Sequence, residues 1–371
     1  LKQTISRNIY LLVKGTSNML FANIVEEIQS IIDRTDYSLS ITYLDEDSNL
    51  SSVTDRICRE RKPLGIIFLG GSREDFSEDT SSFKVPCVIV TTSAENWSME
   101  ELSSVSIDDE KAGETIVDYL IDHGHTKIAE IGANLELSQT AILRHNGYLN
   151  SFKKHGITPD ERYYEKARFS YDSAYHAMKK LLEKDIEITA VYAISDVMAI
   201  GAIRAILDKG LRVPDDISIT GFDGSTLAEY YNPMIVSIRQ QHKDMAAHSV
   251  ELLFSMIDLH KGSCHEIIPF ELTEGDFSKC CESLCIVYSE LCKHFSVDVN
   301  VCYFESVHHF AVGKSVHSCC CVDTSDPELS ELTFFLLSSC IGASKCSHYR
   351  DRKSTRLNSS HPSRSRMPSS A

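Results

Sequence analysis

Cysteine is scarce over most of this 371-residue chain: only Cys58 and Cys87 precede Cys264, and the other eleven of thirteen crowd behind them. Two isolated thiols cannot staple a fold, so this part reads as reduced and cytoplasmic, with both side chains serving as small apolar core residues. A basic excess is missing too. Fifty-three acidic against 37 basic residues give a formal charge of −16, which excludes a chain that binds a phosphate backbone by its own field. No apolar run approaches the ~20 residues a membrane helix needs, and LKQTISRNIYLLV lacks the layered layout of a secretory signal. The chain starts at Leu1 rather than Met, so anything encoded upstream is expected to be missing. Tryptophan occurs once, as Trp97 in a polar stretch, and carries no assigned role.

Catalytic signatures are equally absent. There is no G-x-S-x-G elbow, H-E-x-x-H helix, phosphate-binding P-loop or G-x-G-x-x-G turn, so no enzyme activity and no cofactor are expected. His308, His309 and His317 with Cys319, Cys320 and Cys321 lack metal-ligand spacing, so no metal is expected either. His123 and His125 flank Gly124 at a helix end, where imidazoles commonly meet the last carbonyls.

What is present is alternation. NIYLLV, a helix from about Phe21 to Arg34, SLSITYL, a helix from about Ser51 to Arg61, GIIFLG, VPCVIVT and SSVSID follow one another as strand and helix. The pattern restarts with a helix from Glu110 to His123 and KIAEIG, then helices near 140–155 and 172–183, AVYAIS and ISITGFD. IVSIRQ, a helix from about Lys243 to Leu259 and EIIPFEL complete it. Such alternation predicts βαβ units, and hence an α/β fold with two doubly wound parallel sheets.

The segment SDVMAIGAIRAILDKGLRVPDDISITGFD, Ser195 to Asp223, is the most specific. Asp196 can cap a helix whose apolar positions run to Leu207, Gly210 suits a left-handed C-terminal residue, and Pro214 bars continuation. Asp223 then stands where a strand emits a loop, the edge at which open α/β sheets bind ligands. This segment, with VSIDDEKAG, YLIDHGHTKIAEI, RHNGY and PMIVSIRQ, resembles the effector domain of the LacI/GalR family of bacterial transcription regulators, from about Asn8 to about Gly275.

The resemblance implies a periplasmic-binding-protein-like domain with three crossovers, near residues 107, 237 and 268. An amino-terminal lobe would comprise 8–107 plus 237–275, a carboxy-terminal lobe 108–236, and 1–7 would be residual linker. It also implies a cleft for a small-molecule effector, a sugar or sugar phosphate, no membrane partner, and a homodimer. Operator DNA would be contacted only through a helix-turn-helix head lost before Leu1. An extracytoplasmic sugar-binding protein of a transport system is the alternative; GLRVPDDISITGFD favours the regulator.

Five residues are candidates for that cleft. Phe21 is placed to stack on a ligand or to make the first core contact of its helix, and Asn18 is a polar neighbour in the same loop. Arg144, in R-x-x-G-Y, offers a planar fork able to grip two oxygens. Its role is expected to lie in the ligand and not in folding. Ser195 is a further polar contact. Asp223 would accept from hydroxyls, or cap the next helix. Asn134, Ser138 and Gln139 belong to a loop that also faces the cleft, without assigned contacts.

Beyond Gly275 the periodicity fails. Residues 276–350 read as a cysteine-rich frameshifted or fused segment, with a small unrelated domain as the alternative. Residues 351–371 read as a disordered, adapter-like tail.

Overall fold

The computed structural model describes residues 7–15, 18–76, 85–97, 99, 101–273 and 275. The expectations for 276–371, and for all of the linker except Arg7, lie outside the described residues.

The first lobe opens with β1 (Asn8–Lys14), α1 (Met19–Ile32), β2 (Ser38–Leu44), α2 (Leu50–Arg61), β3 (Gly65–Leu69), β4 (Cys87–Val90) and β5 (Leu102–Ser106). The second contains α3 (Asp109–Asp122), β6 (Ile128–Gly132), α4 (Gln139–Lys154), β7 (Tyr164–Lys166), α5 (Tyr171–Glu183), β8 (Ala190–Ala193), α6 (Asp196–Asp208), β9 (Ser218–Thr220), α7 (Thr226–Glu229) and β10 (Ser237–Gln240). The chain ends its described course with α8 (His242–Leu259), β11 (His265–Ile267) and β12 (Phe270–Thr273).

Both principal sheets are parallel and share one winding. The amino-side order is β11-β5-β4-β3-β1-β2, and the carboxy-side order is β7-β6-β8-β9. In each, the first strand lies between the second and the third, so the direction of winding reverses beside it and a crevice opens at the strand ends. The runs GIIFL and CVIV are buried throughout because helices cover both faces of a parallel sheet. The amino-side sheet therefore has two half-cores: Ile9, Leu11 and Val13 on one face, Leu12, Phe68 and Trp97 on the other.

The portion expected wholly in the amino lobe, 237–275, divides. Helix α8 packs on α1 and on β3 to β5, and β11 extends the amino-side sheet. Strand β10 instead pairs antiparallel with β12, and Asp223 bridges to Arg239. Ile235 and Ile238 lie in the carboxy-side core, with Phe270 and Leu272 packed against it. EIIPFEL, read as one strand, is two, because Pro269 has no N–H to continue a ladder between Ile267 and Phe270.

Gly147 sets the contact between α3 and α4. A Cβ there would stand 2.2 Å from the Glu110 carbonyl oxygen and 2.5 Å from the Glu114 nitrogen, both backbone atoms that cannot swing aside. Gly147→Ala is therefore expected to cost about 1–3 kcal/mol, the range for overpacking. A urea-denaturation midpoint equal to that of the parent chain would contradict this close packing.

Candidate functional site

A cavity of about 330 Å³ lies between the strand ends of the two lobes. That is at the small end of the ~300–1,000 Å³ typical of ligand sites. Lys14 ends β1 on its amino side, with Phe21 at the start of α1 and Gly70 just after β3; Asn134, Arg144 and Phe169 face it from the carboxy side. Gly70 has φ +78°, and a Cβ there would fall 2.9 Å from Phe21 Cε2. The missing side chain is thus what lets the ring lie over the end of β3.

The floor is a polar hub built on Asp223. Its Oδ2 accepts from Ser195 Oγ (2.8 Å) and Asn18 Nδ2 (3.1 Å), and its Oδ1 accepts from Gln240 Nε2 (2.8 Å). Arg144 Nη1 lies 3.8 Å from Oδ1. Asp223 is held at φ +110°, a conformation that strains a residue with a Cβ. It persists because its N–H donates to the Ile238 carbonyl (2.8 Å) and its carbonyl accepts from Gln240 N–H (3.2 Å). Burial raises its pKa, opposed by Arg144 and the three hydrogen bonds.

Arg144 is 3% exposed and heavily committed. Its Nε donates to Asp109 Oδ1 (2.8 Å), its Nη1 donates to the Ile194 carbonyl (2.6 Å), and its Cζ lies 3.5 Å from the centroid of Phe222. Burial nevertheless pushes the Asp109 carboxyl up to about 6, against the pull of the guanidinium. Behind the floor, Asp196 accepts from Ser237 Oγ (2.6 Å) and Ser225 N–H (2.7 Å). Burial first, and then the neighbouring Asp223, raise it to about 7.

Three sets of contacts tie the lobes together across the cavity. Asn18 donates to Asp223 while its Oδ1 caps α1 by accepting from Leu20 N–H (2.9 Å). Arg168 pairs with Asp47. Gln139 accepts from Trp97 Nε1 (3.2 Å) and donates to the Ser93 carbonyl (3.0 Å), which gives the single tryptophan a place at the cleft edge.

Four of the five candidates, Asn18, Phe21, Arg144 and Asp223, line this one cavity. Ser195 does not: it is wholly buried and acts through Asp223 from behind the wall. Phe21 satisfies both readings, being partly packed on the amino-side core as well as lining the cavity. The idea that Arg144 is dispensable for folding needs correction, since burial with Asp109 and Phe222 makes it structural. Asp196 does not cap its own helix; Ser195 occupies the cap position and the Asp196 carboxylate holds Ser225 N–H. Asp223 does not cap α7, which Ser225 caps. His123 meets the Tyr119 carbonyl (2.7 Å) as expected, whereas His125 meets Thr189 Oγ1 (3.1 Å).

Several lining residues escaped the sequence. Lys14 pairs with Asp75 at the end of β1, Glu46 follows β2, and Arg168 and Phe169 follow β7. Position at or just past a strand's carboxyl end is the signal that could have found Lys14, the last residue of β1, and Glu46, two residues after β2. Among the described residues no group of three His, Cys, Asp or Glu side chains could hold a metal ion, and no helix is long and apolar enough to cross a membrane.

Two parallel lobes closing on a lined cavity define a periplasmic-binding-protein-like ligand-binding domain, and residues 117–276 match the family of periplasmic binding protein-like domains. The chain is 36% identical over 281 residues to the HTH-type transcriptional regulator MalR of Clostridium butyricum, covering 74% of this chain and 83% of that one. It is 31% identical over 245 residues to catabolite control protein A of Priestia megaterium, covering 65% and 72%. The solved transcriptional regulator CelR in complex with cellobiose superposes with a TM-score of 0.66 at 24% identity, covering 73% and 84%. The chain belongs to the LacI family of transcriptional regulators. Regulation of transcription, rather than transport, is its function, and its relatives are regulators rather than enzymes.

Proposed function

We propose that this chain is the effector-sensing part of its regulator, taking a sugar or sugar phosphate between Phe21, Arg144 and Asp223. It performs no reaction on that molecule. The observation that carries this reading is the hydrogen bond from Asn18 to Asp223, a direct link from one lobe to the other at the floor of the cavity. A ligand inserted there interacts with both lobes at once, so binding changes their separation, and that displacement is the signal. The reading extends to a cytoplasmic homodimer whose effector occupancy controls operator binding. The cellobiose bound by the structural relative favours a sugar as the ligand class.

A thermal-shift screen against sugars, sugar phosphates and nucleobases tests the site. A binder at a hundred times its Kd adds about 2.7 kcal/mol to apparent stability, a readily measured shift. At least one sugar or sugar phosphate is expected to raise the unfolding midpoint, and Phe21→Ala to remove that rise. A rise that survives Phe21→Ala, or none from either sugar class, would reject the site.

A further inference from the structure

Taking the cleft as the effector site, as proposed above, its charge balance narrows the ligand. Lys14, Arg144 and Arg168 line it, and each is already paired, with Asp75, Asp109 and Asp47 respectively. The Lys14 and Asp75 side chains are only 14% and 10% exposed, so that pair is largely sealed. Asp223 has its three hydrogen bonds. Glu46 stands apart: it lines the cavity, and among the described residues it makes no hydrogen bond and no ion pair. Burial raises its pKa, with Arg168 pulling the other way.

Counting Asp109 behind the wall, five carboxylates, those of Glu46, Asp47, Asp75, Asp109 and Asp223, surround three cations. A phosphate group entering here would find every lining cation already paired, the weakest pair being Arg168 with Asp47, whose side chains are 58% and 71% exposed, and would face Glu46 in partly desolvated space, where like charges repel. An ionised carboxylate only accepts hydrogen bonds, so the wall calls for donors. Hydroxyl groups supply donors without charge.

We infer that the effector is an uncharged, hydroxyl-rich molecule, a free sugar or glycoside carrying no phosphate, and that Glu46 selects it by accepting hydrogen bonds from its hydroxyl groups. The two sealed or bridging ion pairs, Lys14 with Asp75 and Arg168 with Asp47, then serve as neutral polar walls and not as anion receptors.

Calorimetric titration of the full chain tests this with glucose, maltose, cellobiose and ribose, with glucose 6-phosphate and ribose 5-phosphate, and with hypoxanthine. One neutral sugar is expected to bind at least about 100-fold more tightly than either phosphate ester, the scale on which facing like charges discriminate. Glu46→Gln keeps the shape but removes the charge. It is expected to weaken the neutral sugar about tenfold, because a charge-assisted bond becomes an ordinary one, and to narrow the gap to the esters. Asp75→Asn, which frees Lys14, is expected to raise affinity for an ester. An ester binding as well as the neutral sugars, hypoxanthine as the best ligand, or unchanged affinities in both variants would overturn this inference while leaving the effector site in place. Failure of every probe to bind would overturn both.

Discussion

Arg144→Ala is expected to lower the stability of the carboxy lobe by about 3–5 kcal/mol, the cost of removing one partner from a buried charge pair. The guanidinium neutralises Asp109 at 2.8 Å, satisfies the Ile194 carbonyl at the end of β8, and covers Phe222, which is itself fully buried. Alanine removes all of these together and leaves Asp109 and Asp223 as buried carboxylates facing each other without a cation. Those groups would respond by taking up protons. The penalty should therefore be larger at pH 8 than at pH 5, where a neutral Asp109 no longer needs its partner. Urea denaturation of both proteins at the two pH values measures it. A loss below about 1 kcal/mol at pH 8 would show that Arg144 is a peripheral ligand contact after all. Ligand binding alone does not test this point, because a partly unfolded lobe would lose its effector as well.

The prominence of Arg144 in the sequence came from its spacing to Gly147, and the structure shows why the spacing holds. Gly147 brings α4 onto α3, and that approach puts Arg144 against Asp109 in the first turn of α3. The strands with continuous apolar runs, such as GIIFL and CVIV, were legible because strands buried on both faces favour near-continuous apolar sequence. YEK was not legible. It spans three residues, is half-buried and has no alternation, so β7 exists only because β6 is there to pair with it. With β7 went Arg168 and Phe169, whose place in the cleft depends on that strand's end. The same limit hid the split of 237–275. Whether IVSIRQ joins one sheet or the other is decided by its pairing with β12, some thirty residues away, and local periodicity carries no record of a distant partner. Ser195 shows the converse error: a polar residue in a motif was placed at the ligand when its work is to hold Asp223.

The described fold should also become more stable as pH falls from 8 to 5, by roughly 1–4 kcal/mol, opposite to the usual loss of carboxylate stabilisation in acid. Asp196, raised to about 7 in the folded chain by burial and Asp223, and Asp109, raised to about 6 by burial, both bind protons more tightly when folded than at the ~3.9 of an unfolded aspartate. A group of that kind contributes its full stabilisation below its unfolded pKa and loses it as pH rises through the folded value. The window is thus about pH 4 to 7 for Asp196 and about 4 to 6 for Asp109. His145, raised by its bond to Glu130 despite burial, adds in the same direction; His242, lowered chiefly by burial, opposes it. Asp118 and Asp160 are lowered and act only in more acidic solution. Asp196→Asn separates the causes, because asparagine is an uncharged near-isostere of the protonated acid, its amide carrying two N–H donors where the acid has one O–H. Its oxygen can accept from Ser225 N–H while its amide donates to Ser237 Oγ, a hydroxyl that already accepts from Gly224 N–H. The variant should equal the parent chain near pH 5 and exceed it at pH 8 by about 1–3 kcal/mol, flattening the pH profile. Equal stabilities at pH 8 would mean that Asp196 is ionised in the fold without penalty, and that the hydrogen bonds from Ser225 and Ser237 outweigh both its burial and its proximity to Asp223.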